Sequence, residues 1–132
     1  MSSWKNPPKN INDYQGFVYK IINKLNGKYY IGKKFFWSKK TLKPLKGKKR
    51  KRRFIVESDW KTYWGSSKKL LEDIDTYGEE SFTKEILLLC KTKFECSYYE
   101  LKYQMDNEVL FDTNSYNGII NVRLRKPREF EK

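Results

Sequence analysis

Histidine is absent from this 132-residue chain, and the absence removes more functions than any single residue adds. A Ser-His-Asp triad and an imidazole general base are both excluded. Cysteine is scarce, only Cys90 and Cys96, and without histidine two thiols cannot fill the four soft positions of a zinc site. No export signal is read at Met1–Pro8, which has no apolar segment, so both thiols are expected to be reduced core or edge residues. Long apolar runs are missing too. The stretch Ile86–Cys90 is far short of the ~18 residues of a membrane span, so no membrane partner is expected. Acidic residues are outnumbered, 16 against 29 Lys and Arg, which leaves a net charge of +13. Whatever chemistry remains must use Tyr, Lys, Arg, Glu, Asp, Asn, Ser or a hard metal ion.

What is present is aromatic and basic. Aromatic residues make up 17% of the chain against 38% hydrophobic residues in total, a composition that argues against disorder. The length suits one domain with a buried core. Ten of the fifteen residues from Lys39 to Arg53 are Lys or Arg and none is acidic. Such a run repels itself in isolation and releases counterions when it meets a phosphate backbone. The plainer alternative is a solvated loop or a localisation tag. Lys39, Lys40, Lys48, Lys49, Arg50, Lys51, Arg52, Arg53 and Lys61 are the candidate nucleic-acid contacts.

Residues 1–13 read as a flexible arm, with Trp4 as a tether onto the body or onto a base. A domain over 14–124 follows, with a basic loop insertion at 39–53, and a charged tail over 125–132. Phe17–Asn23 and Lys28–Lys34 are β-rich, and Asn26-Gly27 between them suits a tight hairpin turn. A short strand is expected at Phe54–Val56, and Ser58 and Asp59 read as the cap of a short helical piece. A helix over Lys68–Tyr77 presents Leu70, Leu71, Ile74 and Tyr77, with Gly78 stopping it in the left-handed region. A third strand runs from Phe82 to Cys90. A last helix over 94–106 carries Phe94, Tyr98, Leu101 and Met105 at core spacing. This order predicts an α+β fold, a small three-stranded antiparallel sheet flanked by helices.

Tyr19 and Tyr30 stand on the two hairpin strands, where a cross-strand aromatic pair would by itself only stabilise the sheet. The wider pattern of Gly16-Phe-Val-Tyr19, an eleven-residue step and then Tyr30-Ile31-Gly32 resembles the two-part signature of the GIY-YIG endonuclease superfamily. Phe17-Val18-Tyr19 stands where that family has Gly-Ile-Tyr. Glu100 on the last helix, the late Tyr116-Asn117 pair and the Asp59 to Gly78 segment extend the likeness, which is similar to a phage homing-endonuclease-like branch and covers residues 16–123.

The resemblance implies a metal-dependent phosphodiesterase acting on double-stranded DNA, with one Mg²⁺ or Mn²⁺ per active site. It implies Glu100 as the metal ligand, Tyr19 as the base near the attacking water, Tyr30 as its hydrogen-bond partner and Asn117 as a brace. Glu100 lies about 100° around a helix from Leu101 and can flank the apolar stripe. The plain alternatives stay open: a surface glutamate paired with a lysine, and an Asn-Gly turn at Asn117-Gly118. The family's helix arginine has no counterpart, since no Arg lies between Arg53 and Arg123. Lys34, Lys61, Arg53 and Arg52 are its candidate substitutes. A cytoplasmic protein is implied, in a bacterial host cell if phage-encoded, acting as monomer or homodimer. The competing readings are a non-catalytic nucleic-acid-binding protein, either a degenerate nuclease or an RNA-binding domain, and a basic inhibitor of acidic partners.

Overall fold

The computed structural model describes residues 3–130. The elements are β1 (Trp4–Lys5), β2 (Gly16–Asn23), β3 (Tyr29–Phe35), β4 (Trp37–Leu42), β5 (Arg52–Glu57), α1 (Lys68–Tyr77), β6 (Phe82–Cys90) and α2 (Lys93–Asp106). The α+β class holds, but the sheet is not the three-stranded antiparallel one expected. It is a mixed four-stranded sheet in the order β1-β6-β2-β3, accompanied by a separate two-stranded β4–β5 ribbon. β2 runs antiparallel to both β3 and β6, and β1 is the parallel edge strand on β6.

That edge strand corrects the reading of residues 1–13 as a flexible arm where the chain is described, from Ser3 on; Met1 and Ser2 lie outside the described residues. Trp4 is buried, its ring packs edge-on against Phe17 and Tyr19, and its indole N–H donates to the Trp60 carbonyl at 2.7 Å. The basic insertion is corrected in part, because its two ends, 39–42 and 52–53, are paired β-structure and residues 43–51 between them form the loop. In the β2–β3 connection Gly27 takes φ 76°, while Asn26 caps the turn with its side chain by accepting from Lys28 N–H. The strands part at Asn23 and Tyr29, so the connection is wider than a two-residue turn.

Strand alternation divides the core into two layers. Phe17, Tyr19 and Ile21 point to the side covered by Trp60, Leu70 and Ile74. Val18 and Ile31 point to the side where Cys96 of α2 and Val109 pack. Cys90 and Cys96 are both buried free thiols. Ser67 caps α1 by accepting from Leu70 N–H, and Gly78 ends it at φ 86°, ψ 152°, a positive φ but an extended ψ rather than the left-handed helical region. Within α1 only Leu70 and Ile74 are buried; Leu71 and Tyr77 are exposed.

The inward face of α2 differs from the apolar stripe read from sequence. Tyr98 and Met105 are exposed, and the buried residues of the helix are Cys96 and Gln104. The reason is hydrogen bonding. β3 is an edge strand, its outward backbone groups need partners, and Gln104 Nε2 donates to the Ile31 carbonyl at 3.0 Å. The same turn of helix choice brings Glu100, one turn before Gln104, towards β3.

No helix among the described residues is long and apolar enough to cross a membrane.

Candidate active site

Tyr19 faces Gly32 across the β2–β3 ladder, and Tyr30 faces Ile21. The two tyrosines are therefore diagonal neighbours on one face, with ring centroids 6.1 Å apart. A break in the β2–β6 register falls between Val18 and Tyr19, a bulge of the kind that re-aims a side chain beside a functional site. Gly32 is required by space. A Cβ there would stand 2.6 Å from Tyr19 Oη and 2.8 Å from Tyr30 Cε2, inside contact distance. The bare glycine lets the Tyr19 hydroxyl cross its own partner strand towards the sheet edge.

The phenol pair has company the sequence did not single out. Tyr63 packs edge-on against Tyr19 at 6.2 Å, and Ser66 Oγ lies 3.2 Å from Tyr30 Oη. Tyr19 is only 1% exposed. Burial pushes its hydroxyl well above the usual tyrosine range, with further upward contributions from Tyr30, Tyr63 and Glu100 and from hydrogen bonding to Tyr63. Burial also raises Tyr30, partly offset by the Ser66 hydrogen bond. A Tyr19 base, the role the resemblance implied, would need a phenolate, and burial works against one. Both rings are neutral hydrogen-bonding groups at ordinary pH.

Glu100 reaches the site from the other layer. Its helix packs on the Val18–Ile31 face, opposite the tyrosines, yet its Oε1 meets Lys33 Nζ at 3.4 Å, one residue past Gly32. Its negative charge contributes to raising both Tyr19 and Tyr30. Carboxylate and phenols thus lie on opposite faces of β3, and Lys33, next to Gly32, is the contact that brings Glu100 to the strand. The Glu100 side chain is 17% exposed, and burial raises its pKa while the Lys33 ammonium and hydrogen bonds pull it back. It is neither a solvated surface glutamate nor an isolated one. Lys33 was not among the sequence candidates. Its signal was strand parity, because Lys33 shares the α2-facing side with Ile31.

Lys34 points to the tyrosine side. Its ammonium stacks 4.1 Å over the Tyr63 ring and pairs with Asp59 Oδ1 at 2.7 Å. The Lys34 charge, bonding directly to the carboxylate, holds Asp59 below its ordinary value. Asp59 therefore spends its carboxylate on Lys34 rather than on a cap; Ser58 likewise bonds to the Phe35 carbonyl through Oγ at 2.6 Å.

Asn117 acts on backbone. Its Oδ1 accepts from Ile31 N–H at 3.0 Å and its Nδ2 donates to the Ile31 carbonyl at 2.8 Å, so its amide imitates a neighbouring strand at the middle of Tyr30-Ile31-Gly32. Tyr116 beside it donates to Asp73 at 2.6 Å and accepts from Asn23 at 3.2 Å, tying α1 to β2.

The remaining candidates lie elsewhere. Lys39, Lys40, Lys48, Lys49, Arg50, Lys51, Arg52 and Arg53 are exposed on the ribbon and its loop, and Lys61 is exposed beside Trp60 and Glu57. None of the four substitutes for the missing arginine other than Lys34 has a contact with the tyrosine cluster among the described residues.

A β-hairpin whose paired tyrosines meet over a glycine, with a helix glutamate at the same strand, defines a GIY-YIG nuclease domain. Comparison with known families agrees. The family model described as "Putative endonuclease segE, GIY-YIG domain" matches residues 2–120, and the chain belongs to that family. No curated protein and no solved structure matches the chain.

Proposed function

We propose that the protein is a divalent-metal-dependent endonuclease that hydrolyses phosphodiester bonds of double-stranded DNA, in the manner of a phage site-specific or homing-like nuclease. The observation that supports this reading is the arrangement along β3: two neutral phenols packed over Gly32 on one face, and on the other a largely buried carboxylate bonded to the neighbouring Lys33. Family membership supports a nuclease.

No group of three or more His, Cys, Asp or Glu side chains is gathered among the described residues, so a cage built wholly from protein is excluded there. Mg²⁺ does not need one, since it takes one or two carboxylates and keeps several waters. Glu100 fits that demand, with one Mg²⁺ or Mn²⁺ per site. Such an ion lowers the pKa of bound water and offsets charge on the phosphate. The protein's own residues position and polarise. Tyr19 and Tyr30, held neutral by burial, hydrogen-bond to a water or a phosphate oxygen. Lys34 supplies positive charge on the phenol side, and Asn117 fixes the backbone that carries Tyr30. Lys39, Lys40, Lys48 to Arg53 and Lys61 hold the DNA backbone electrostatically.

A second reading, a DNA-binding protein that has lost catalysis, is favoured by the Lys33–Glu100 ion pair, which competes with a metal for the carboxylate. Supercoiled plasmid with Mg²⁺ or Mn²⁺ separates the two. Nicking abolished by EDTA and reduced about 10³-fold in Glu100→Gln is expected, the loss of several kcal/mol of metal assistance. Nicking that survives in Glu100→Gln removes the ligand assignment. Plasmid retardation without nicking, with every divalent ion tried, supports the binding-only reading instead.

A further inference from the structure

The β4–β5 ribbon is built unlike the rest of the molecule. Its ladder pairs Trp37 with Glu57, Lys39 with Ile55, Lys40 with Phe54, Thr41 with Arg53 and Leu42 with Arg52. Alternation then gives it two faces, one with Lys39, Thr41, Arg53 and Ile55, the other with Lys40, Leu42, Arg52 and Phe54. All eight of these side chains are exposed. A two-stranded sheet with no covered face is marginal in water, so both faces call for a partner. The chemistry of that partner is fixed by charge, because no acidic residue occurs from Lys39 to Val56.

The root of the ribbon is firm. Ser58 N–H donates to the Phe36 carbonyl at 2.7 Å, and Trp37 Nε1 donates to the Tyr14 carbonyl at 3.0 Å. At the far end Lys49, Arg50, Lys51 and Arg53 line a hollow of about 590 Å³. The ribbon is thus a fixed arm with cations along both faces and at its tip. A flat polyanion would leave one face unused. A groove walled by phosphates on both sides would engage both. The major groove of B-DNA, about 12 Å wide, admits a two-stranded ribbon as it stands, whereas the minor groove, about 6 Å wide, takes one only at the cost of deforming the duplex.

We infer that the β4–β5 ribbon enters the major groove of duplex DNA and reads base edges there with Thr41 and Ile55, while its Lys and Arg side chains rest on the flanking phosphates. This rests on DNA being the substrate and assigns the recognition element of that same activity. Thr41 offers a hydroxyl and a methyl group, and Ile55 an apolar surface suited to a thymine methyl group. Since β4 follows β3 after one residue, Phe36, the ribbon is continuous with the strand that carries Tyr30.

The test uses the full chain in EDTA, on a duplex enriched from a random library by the wild-type protein. Dimethyl sulfate methylates guanine N7 in the major groove and adenine N3 in the minor groove. Protection of N7 is expected, lost when residues 39–55 are replaced by Asn-Gly, a change that leaves the Ser58 and Trp37 anchors in place. Thr41→Ala with Ile55→Ala should narrow the preference for the enriched over a scrambled duplex about ten-fold, with binding to the scrambled duplex unchanged. Protection only at adenine N3, N7 protection that persists without the ribbon, or retardation with no protected base overturns the inference. So does ribbon-dependent binding to phosphatidylserine vesicles with none to DNA. The footprint needs no cleavage, so a protein that protects N7 but never nicks keeps this inference and loses the endonuclease reading.

Discussion

The β2–β3 hairpin and the β4–β5 ribbon are two antiparallel pairs from one continuous stretch of chain, and they are stabilised in opposite ways. In β2–β3, Phe17, Val18, Ile21 and Ile31 are sealed between layers, and its outer edge is closed by Asn117 and Gln104. In β4–β5 neither face is covered, and Ile55 is 66% exposed. Burying a side chain of that size is worth about 1.5–3 kcal/mol, so the hairpin holds its geometry through its own core while the ribbon has little burial to hold it. In the proposed function the first is a rigid frame for chemistry and the second a charged surface for capture. Substitutions in the two should therefore separate cleavage from affinity.

The largest separation comes from the ribbon. Replacing Lys48, Lys49, Arg50, Lys51, Arg52 and Arg53 by Gln removes six cations and should lower DNA affinity about 10³-fold at low salt, with a shallower salt dependence. The melting temperature should stay unchanged, because these side chains are exposed. Filter binding across a salt series measures the first and calorimetry the second. Unchanged affinity would make the ribbon a bystander.

Next is Gly32→Ala in the hairpin. The added Cβ displaces the Tyr19 hydroxyl, and a displacement of about 1 Å near the reacting atoms costs about 10²-fold in rate. DNA affinity should be unaffected. A variant that nicks at the wild-type rate would show that Tyr19 has no part in the reaction. Asn117→Ala has a smaller effect. It strands the Ile31 N–H, a loss of about 1–3 kcal/mol, visible as a lower melting temperature and a parallel fall in nicking, again without a change in affinity.

The contrast also explains what could be read from sequence. β2, β3, β6 and both helices follow local patterns of apolar and β-branched residues, and the site tyrosines sit at the fixed spacing of the family signature. Three features escaped because their causes are not local. β1 is two residues long and exists because Trp4 fits between Phe17, Tyr19 and Lys84. The ribbon lacks a buried face, so no apolar alternation marks β4, and a charge run hides a strand. The inward face of α2 mixes Cys96 and Tyr103 with Glu100 and Gln104, which serve β3, so a purely apolar stripe pointed elsewhere. Lys33 and Tyr63, and the pairing of Asp59 with Lys34 in place of a cap, became visible only once strand parity and the chain's return past β3 were known.

Lys84 gives the finest contrast, since it is a cation treated in the opposite manner to those of the ribbon. It is 1% exposed, held 4.3 Å from the Trp4 ring and 4.5 Å from the Trp64 ring, and donates to the Lys61 carbonyl at 3.5 Å. Burial lowers its pKa to about 8, against a smaller upward pull from Glu79. Between pH of about 8 and the unfolded value of 10.5 the unfolded chain therefore binds more protons at this site, and stability rises with pH. The phenols have the opposite sign. Burial raises Tyr19, Tyr30 and Tyr116, and raises Tyr29 to about 12, so above about pH 10 the native state retains protons that the unfolded state loses, and stability falls. Thermal melts should thus improve on leaving neutral pH and then decline. In Lys84→Met the early rise should vanish while the decline remains, and stability at pH 7 should match or exceed wild type, since an apolar side chain of similar volume avoids the cost of burying a charge. A variant that keeps the rise would mean that another group is responsible and that the two indoles hold Lys84 charged as comfortably as water does.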